Sequence, residues 1–120
     1  MIYVSGMDRS ILELVGVFLE RKGYSFEMVP MESLIEKCQK NKPKIVFLEL
    51  DNEDGVEYVN GLRSSVRGVN IILVVSSLWC ERIGIRKNRE NSIDILTKPF
   101  SLQNLVEIID SRLKVNGGEA

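Results

Sequence analysis

The sequence predicts an α/β fold, a parallel sheet with helices on both faces. Short apolar runs alternate with longer segments of helical period along the whole chain, which is typical of strand–helix units in a parallel sheet. The run at 45–48 is uninterrupted and apolar, as expected of a strand buried on both faces. The 120 residues suffice for one domain. We therefore predict a flavodoxin-like, doubly wound sheet of five strands in the order 2-1-3-4-5.

The first half of the chain predicts two strand–helix units. A strand at 2–4 precedes a helix whose apolar residues recur at spacings of three and four, with Asp8 as its N-cap and Gly23 as its C-cap. A second strand at 26–29 precedes a short helix that ends before Pro43. The apolar stripes of these helices are Ile11, Leu14, Val15, Phe18 and Leu19, then Met31, Leu34, Ile35 and Cys38.

The second half predicts strands at 45–48, 71–75 and 93–96. The third helix follows the third strand and is weakened by Gly61, by about 1 kcal/mol relative to alanine. The pattern degrades between Leu78 and Asn91, where we expect a short or irregular helix. The last helix is capped by Ser101. The predicted domain covers 1–116, and 117–120 are expected to form a flexible tail or the start of a linker.

Composition excludes several classes of protein. A net charge of −1, with 44% hydrophobic and 28% charged residues, is ordinary for a globular domain and offers no global field for nucleic acid or a membrane surface. The chain has no long apolar run and no signal-like N-terminus, so a cytoplasmic location is expected. The absence of histidine and the wide separation of Cys38 and Cys80 argue against a zinc site.

The carboxyl ends of parallel strands form one edge of the sheet, and chemistry in such folds is expected there. The polar and small residues predicted at this edge are Ser5, Gly6 and Asp8 after the first strand, Glu49 and Asp51 after the third, Ser76 after the fourth, and Lys98 and Pro99 after the fifth.

Two segments resemble the receiver domain of two-component response regulators. One is Thr97-Lys98-Pro99-Phe100 at the end of the fifth strand, and the other is the apolar run 43–48 that leads to Glu49. The resemblance extends from Met1 through the last helix.

This resemblance implies a role for each matching position. It implies that Lys98 contacts the acceptor carboxylate and its phosphoryl group, that Ser76 binds a phosphoryl oxygen, and that the Lys98-Pro99 peptide is cis, as X-Pro bonds permit. Glu49 occupies the place of the phosphate-accepting aspartate.

The chain also departs from the family. Ser5-Gly6 stands where receivers carry the acidic pair that holds Mg²⁺. Because Mg²⁺ favours carboxylate oxygens, we expect weak or absent Mg²⁺ binding and no cofactor. The loop to Gly55 is about two residues shorter than usual for the family, and Ile95 replaces the aromatic residue that swings inward on activation. Phosphoryl transfer to a carboxylate requires a metal, so these losses predict a domain that is not an enzyme and signals without phosphorylation.

The leading hypothesis is therefore a signalling module that binds protein partners. A Glu49–Lys98 ion pair would place a carboxylate where phosphate would stand, a partial mimic because a phosphoryl group carries more charge. The expected partners are a histidine kinase, an output domain or a second copy of the chain, with no membrane and no nucleic acid. The partner surface is expected on the last two helices and the fifth strand, where Trp79, Arg82, Arg86 and Ile95 lie.

Three alternatives remain open from the sequence. Asp51, which has the strand parity of Glu49 and lies near Glu53 and Asp54, is a second candidate phosphate acceptor. A small α/β enzyme using Glu49 and Lys98 as an acid–base pair is disfavoured by the lack of histidine and of a Gly-rich phosphate loop. In the third alternative, Glu49 and Lys98 only form an ion pair at the sheet edge, with no consequence for signalling.

Overall fold

A five-stranded parallel sheet forms the centre of the protein. The computed structural model describes residues 1–51, 55–76 and 93–117. The strands are β1 (Ile2–Gly6), β2 (Phe26–Met28), β3 (Ile45–Glu49), β4 (Asn70–Ser76) and β5 (Ile93–Lys98), and the helices of the described ranges are α1 (Arg9–Lys22), α2 (Met31–Asn41), α3 (Gly55–Ser65) and α4 (Leu102–Gly117).

The strand order is β2-β1-β3-β4-β5, with all neighbours parallel. The predicted flavodoxin-like topology is confirmed. The register places Gly6 beside Glu49 and Ser76 beside Lys98. These residues close their strands at the carboxyl edge, so the sheet itself fixes their relative positions.

The helix ends follow the predicted capping chemistry. The carboxylate of Asp8 accepts hydrogen bonds from the amides of Ser10 and Ile11, at 3.0 and 3.3 Å, and so caps α1. Gly23 ends this helix in the left-handed conformation, with φ 84°. The hydroxyl of Ser101 accepts from the amide of Asn104 at 2.9 Å.

The side chains of alternate strand residues pack into two apolar cores, one on each face of the sheet. Tyr3, Leu48 and Leu73 face the core with α2 and α3. Phe47 and Val74 face the core with α1 and α4. All residues of β3 are buried: the apolar run 45–48 as predicted, and also Glu49 at its carboxyl end. The central strands are therefore packed on both faces, and the site lies at their carboxyl ends.

A buried polar contact joins α4 to the sheet away from this edge. Arg112 donates to Asp94 of β5 at 2.7 Å and to Asn70 of β4 at 3.4 Å. All three side chains are buried. Because a buried charge needs a partner, this contact fixes the position of α4 against β5.

Several predicted features lie outside the described residues. These are the irregular helix between Leu78 and Asn91, residues 118–120 of the predicted tail, and Glu53 and Asp54 of the acidic cluster. Gly117, predicted as the first residue of the tail, is the last residue of α4. Within the described ranges, no helix has both the length and the apolar character needed to span a bilayer.

Candidate functional site

Lys98 is the centre of the site at the carboxyl edge. Its ammonium lies 2.7 Å from Oε2 of Glu49 and 3.0 Å from Oδ2 of Asp51. The predicted contact between Glu49 and Lys98 is therefore present, and Asp51 shares the same ammonium. The Lys98-Pro99 peptide that follows is cis, as predicted.

Glu49 is almost completely enclosed, with 1% of its side chain exposed. Its Oε1 accepts hydrogen bonds from the backbone amides of Met7 and Asp8, at 2.6 and 2.7 Å. Its Oε2 accepts from Lys98. A buried carboxylate is tolerated when its charge is paired and its oxygens are hydrogen-bonded, and both conditions are met here.

The absence of a side chain at Gly6 makes room for this carboxylate. A Cβ on Gly6 would lie 2.6 Å from Oε1 of Glu49 and 2.8 Å from its Cβ. Real Cβ atoms do not approach other atoms so closely. The glycine is thus required by the neighbouring glutamate, across the β1–β3 pairing.

Asp51 is the accessible carboxylate of the site. About a third of its side chain is exposed (33%), compared with 19% for Lys98. Its Oδ1 accepts from the backbone amide of Ser76 at 2.8 Å. Burial alone would raise the pKa of Asp51, but the hydrogen bonds from Ser76 and Lys98 outweigh it and hold this pKa below its usual value.

The two carboxylates keep Lys98 charged. Burial alone would lower the pKa of Lys98, but the hydrogen bonds to Glu49 and Asp51 and the attraction of both charges raise this pKa above its usual value. A lysine in this state is a poor proton acceptor at neutral pH. Its role is to position and neutralise the two carboxylates.

Other predicted site residues take different places. The Ser5 side chain is fully buried, and its hydroxyl has no hydrogen-bond partner within the described part of the chain. Asp8 uses its carboxylate on its own helix. Pro99 is exposed, and Ile95 is half-buried and packs against the core with α2 and α3.

The predicted partner-binding residues and the two cysteines remain to be placed. Trp79, Arg82, Arg86 and Cys80 lie outside the described residues. Burial raises the pKa of the Cys38 thiol to about 11, so Cys38 is an inert core residue.

The described donors at this edge of the sheet do not fit Mg²⁺. Ser5 and Gly6 provide no charge, the Asp8 carboxylate caps α1, and both oxygens of Glu49 are engaged. Across residues 1–51, 55–76 and 93–117, no three His, Cys, Asp or Glu side chains are grouped to hold a metal. Mg²⁺ requires several oxygen ligands in octahedral geometry, and the described residues do not supply them.

Sequence reasoning missed two features of the site. It did not predict the Asp51–Lys98 contact, although the shared parity of Asp51 and Glu49 was a signal for it. It also missed the amides of Met7 and Asp8 as donors. The glycine at position 6 was the available signal, because it leaves space beside the strand for an incoming side chain.

An apolar groove borders the site. It has a volume of about 380 Å³ and lies between the first turns of α1 and the segment that joins β5 to α4. Leu14 on its rim is 54% exposed. Its lining residues are Ile11, Leu14, Lys98, Pro99, Phe100 and Leu102.

Comparison with known proteins connects this geometry to one class of fold. No protein-family model matches the sequence, and no curated protein sequence matches it significantly. Solved structures do match. The receiver domain of NtrX from Brucella abortus superposes with a TM-score of 0.75 at 18% identity, over 95% of this chain and 98% of that one.

The same likeness holds in a longer protein and in a complex. In the larger NtrX structure the TM-score is 0.77 at 18% identity, and the match covers 95% of this chain but only 26% of that one. The receiver domain of Ssk1 from Saccharomyces cerevisiae, in co-crystals with the histidine phosphotransfer protein Ypd1, gives 0.64 at 17% identity, over 89% and 84% of the two chains. The chain therefore has the receiver fold.

Proposed function

We propose that this domain is a signalling module that binds protein partners and does so without phosphorylation of Glu49. The observation that supports it best is the enclosure of Glu49. Its two oxygens are bound by Lys98 at 2.7 Å and by two backbone amides, and its side chain is 1% exposed. Glu49 stands at the position that the sequence matches to a phosphate acceptor, and contacts within the protein already neutralise its charge.

Glu49 is poorly placed to attack a phosphoryl donor. An attacking oxygen must be accessible and in line with the leaving group, and a metal must neutralise the phosphate charge. Both oxygens of Glu49 accept short hydrogen bonds, and the described residues do not fit Mg²⁺. The chemistry of a phospho-accepting receiver is therefore not expected at this residue.

The same contact offers a reason for constitutive signalling. A carboxylate bonded to Lys98 carries part of the charge that a phosphoryl group would bring to this edge. The conformation of the edge is then set by the sequence, not by a kinase. Partner binding is expected to be independent of phosphodonors.

Two surfaces are candidates for the partner. One is the apolar groove beside Lys98, whose exposed Leu14 gives it a hydrophobic rim. The other is the segment with Trp79, Arg82 and Arg86, which stays a prediction from the sequence. The Ssk1 receiver in complex with Ypd1 supports a histidine phosphotransfer protein as one kind of partner. A histidine kinase, an output domain and a second copy of the chain are the other candidates.

An enzymatic role for Glu49 and Lys98 receives no support. An acid–base pair requires one group that gains and one that loses a proton near neutral pH. The raised pKa of Lys98 keeps it protonated there. We therefore propose a binding function without catalysis.

A second candidate function is phosphorylation of Asp51. Its side chain is 33% exposed and lies 3.0 Å from Lys98, and one of its oxygens is oriented by the amide of Ser76. An accessible carboxylate beside the lysine is what phosphoryl transfer needs. Against it stands the poor fit of the described residues to Mg²⁺.

Intact-mass spectrometry after incubation with acetyl phosphate and Mg²⁺ separates the two functions. We expect no added phosphoryl group on the natural protein or on the Glu49→Gln variant. A stoichiometric adduct that disappears in Asp51→Asn would assign the domain to the second function. An adduct lost only in Glu49→Gln would contradict both.

A further inference from the structure

We propose that the turn between β1 and α1, together with Lys98, forms a binding site for a small carboxylate, and that Glu49 is its tethered ligand. When the Glu49 side chain is removed, free acetate should bind in its place. This site is the one described under the proposed function, but carboxylate binding there requires neither partner binding nor phosphorylation.

The two oxygens of the Glu49 carboxylate are bound by different donors. The amides of Met7 and Asp8 both point at Oε1, at 2.6 and 2.7 Å, and the ammonium of Lys98 reaches Oε2 at 2.7 Å. Hydrogen bonds to an ionised acceptor are stronger than those between neutral groups. Successive backbone amides that converge in this way form an anion-binding concavity. The arrangement fits a planar group with two oxygens and one negative charge.

Two of the three donor residues, Asp8 and Lys98, have contacts that do not involve Glu49. The Asp8 carboxylate is fixed to the amides of Ser10 and Ile11 at the start of α1. Lys98 keeps its second partner, Asp51, at 3.0 Å. Shortening Glu49 therefore leaves both the turn and the lysine with the contacts that position them.

The space between Gly6 and the three donors has the size of a carboxylate. A Cβ on Gly6 would come within 2.6 Å of Oε1, so only backbone borders the oxygen on that side. The side chain that fills the space is 1% exposed. Removing it leaves a small polar cavity enclosed by the three donors.

The test uses the Glu49→Ala variant, which lacks the side-chain atoms beyond Cβ, the equivalent of one acetate ion. Acetate should raise its thermal midpoint saturably and more than chloride does at the same ionic strength. The amide resonances of Met7 and Asp8 should shift in parallel. Adding Lys98→Met should abolish both effects, and the natural protein should show neither.

Two further variants sharpen the test. Glu49→Gly lacks one more carbon, so it should prefer propionate to acetate, the reverse of Glu49→Ala. Asp51→Ala removes a carboxylate that a single backbone amide and Lys98 hold at the surface, and it should show no saturable response. An equal response in Asp51→Ala would overturn the proposal, because it would reveal a general effect of acetate.

Failure to fold also has a defined meaning. If Glu49→Ala is unfolded in buffer, folding on addition of acetate but not chloride supports the site. If it responds to acetate no more than to chloride, or stays unfolded at molar acetate, the proposal is wrong. These outcomes do not alter the mass-spectrometric test of phosphorylation.

Discussion

At the scale of the residue, one ammonium serves two carboxylates of very different burial. Glu49 has 1% of its side chain exposed, and Asp51 has 33%. The same loss of charge should therefore have unequal costs at the two positions, because solvent can replace the contacts of Asp51 but not those of Glu49.

Glu49→Gln should lower the free energy of unfolding by about 2 kcal/mol, the range of a hydrogen bond to a charged group. Asp51→Asn is the matched control and should cost about 1 kcal/mol or less, as exposed ion pairs do. Urea denaturation of both variants measures the difference. Equal losses would mean that the burial of Glu49 does not decide its contribution.

The ion pairs of Lys98 also predict how stability depends on pH. The pKa of Asp51 lies below its unfolded value of 3.8, so its contribution is present above 3.8 and is lost as pH falls through the folded pKa. The pKa of Lys98 lies above 10.5, so its contribution is present below 10.5 and is lost as pH rises through the folded pKa.

Urea-unfolding free energies measured against pH should therefore fall at both extremes. Asp51→Asn should flatten part of the acid limb, and Lys98→Met should flatten the alkaline limb. An alkaline limb that is unchanged in Lys98→Met would show that other groups cause it.

At the scale of the element, the positions of the helices and strands followed from local sequence. The caps at Asp8, Gly23 and Ser101 lie where capping chemistry predicts them, because a cap needs only nearby residues. Four of the strands proved longer than predicted at their carboxyl ends, for example at Gly6 and Lys98, whereas β2 ends at Met28, one residue before its predicted end. Predicted strands stopped at the last apolar residue, but hydrogen bonding between strands continues through polar ones.

The contacts of the site could be predicted only in part. The Glu49–Lys98 pair was predicted from the resemblance to receiver domains, and the parallel strand order brings both residues to the same edge of the sheet, on either side of β4. The bond from the Met7 amide to Glu49 depends on the conformation of the turn after β1, which side-chain pattern does not encode. For the same reason the sequence did not show that Asp51 turns back to Lys98.

Alanine substitutions at two glycines in different elements should change the stability of the protein in opposite directions. Gly6→Ala, in β1, would drive a Cβ to within 2.9 Å of three atoms of Glu49 and should destabilise the protein by about 1–3 kcal/mol. The added Cβ of Gly61→Ala, in α3, meets only Ile35 among the described residues, at 3.8 Å, and should stabilise the protein by about 1 kcal/mol through helix propensity. Thermal and urea unfolding of the two variants give the sign of each change in stability. A neutral Gly6→Ala would contradict the close approach of β1 and Glu49.

At the scale of the whole molecule, the fold places the Glu49–Lys98 pair and the apolar groove at one end of the sheet. Lys98 belongs to both, since its ammonium binds Glu49 and it lines the groove. A change in the ion pair would thus reach a surface that a partner can contact. The segment with Trp79 and Arg86 offers the other candidate surface, predicted from sequence alone.

Substitutions on the two surfaces should show which one the partner uses. Leu14→Glu places a charge in the groove, whereas Val17→Glu, on the same helix and 50% exposed, lies outside its lining and is the control. Trp79→Ala and Arg86→Glu test the other surface. Pull-downs with each variant as bait, with and without acetyl phosphate, compare the amounts of the captured partners.

If the groove is the docking surface, Leu14→Glu should reduce capture at least several-fold and Val17→Glu should not, because a buried charge without a partner opposes binding. Loss in Trp79→Ala and Arg86→Glu alone would move the surface to that segment. In both cases capture should be unchanged by the phosphodonor, since Glu49 already fills the position at Lys98. Capture that requires acetyl phosphate would contradict constitutive binding and favour Asp51 as an acceptor.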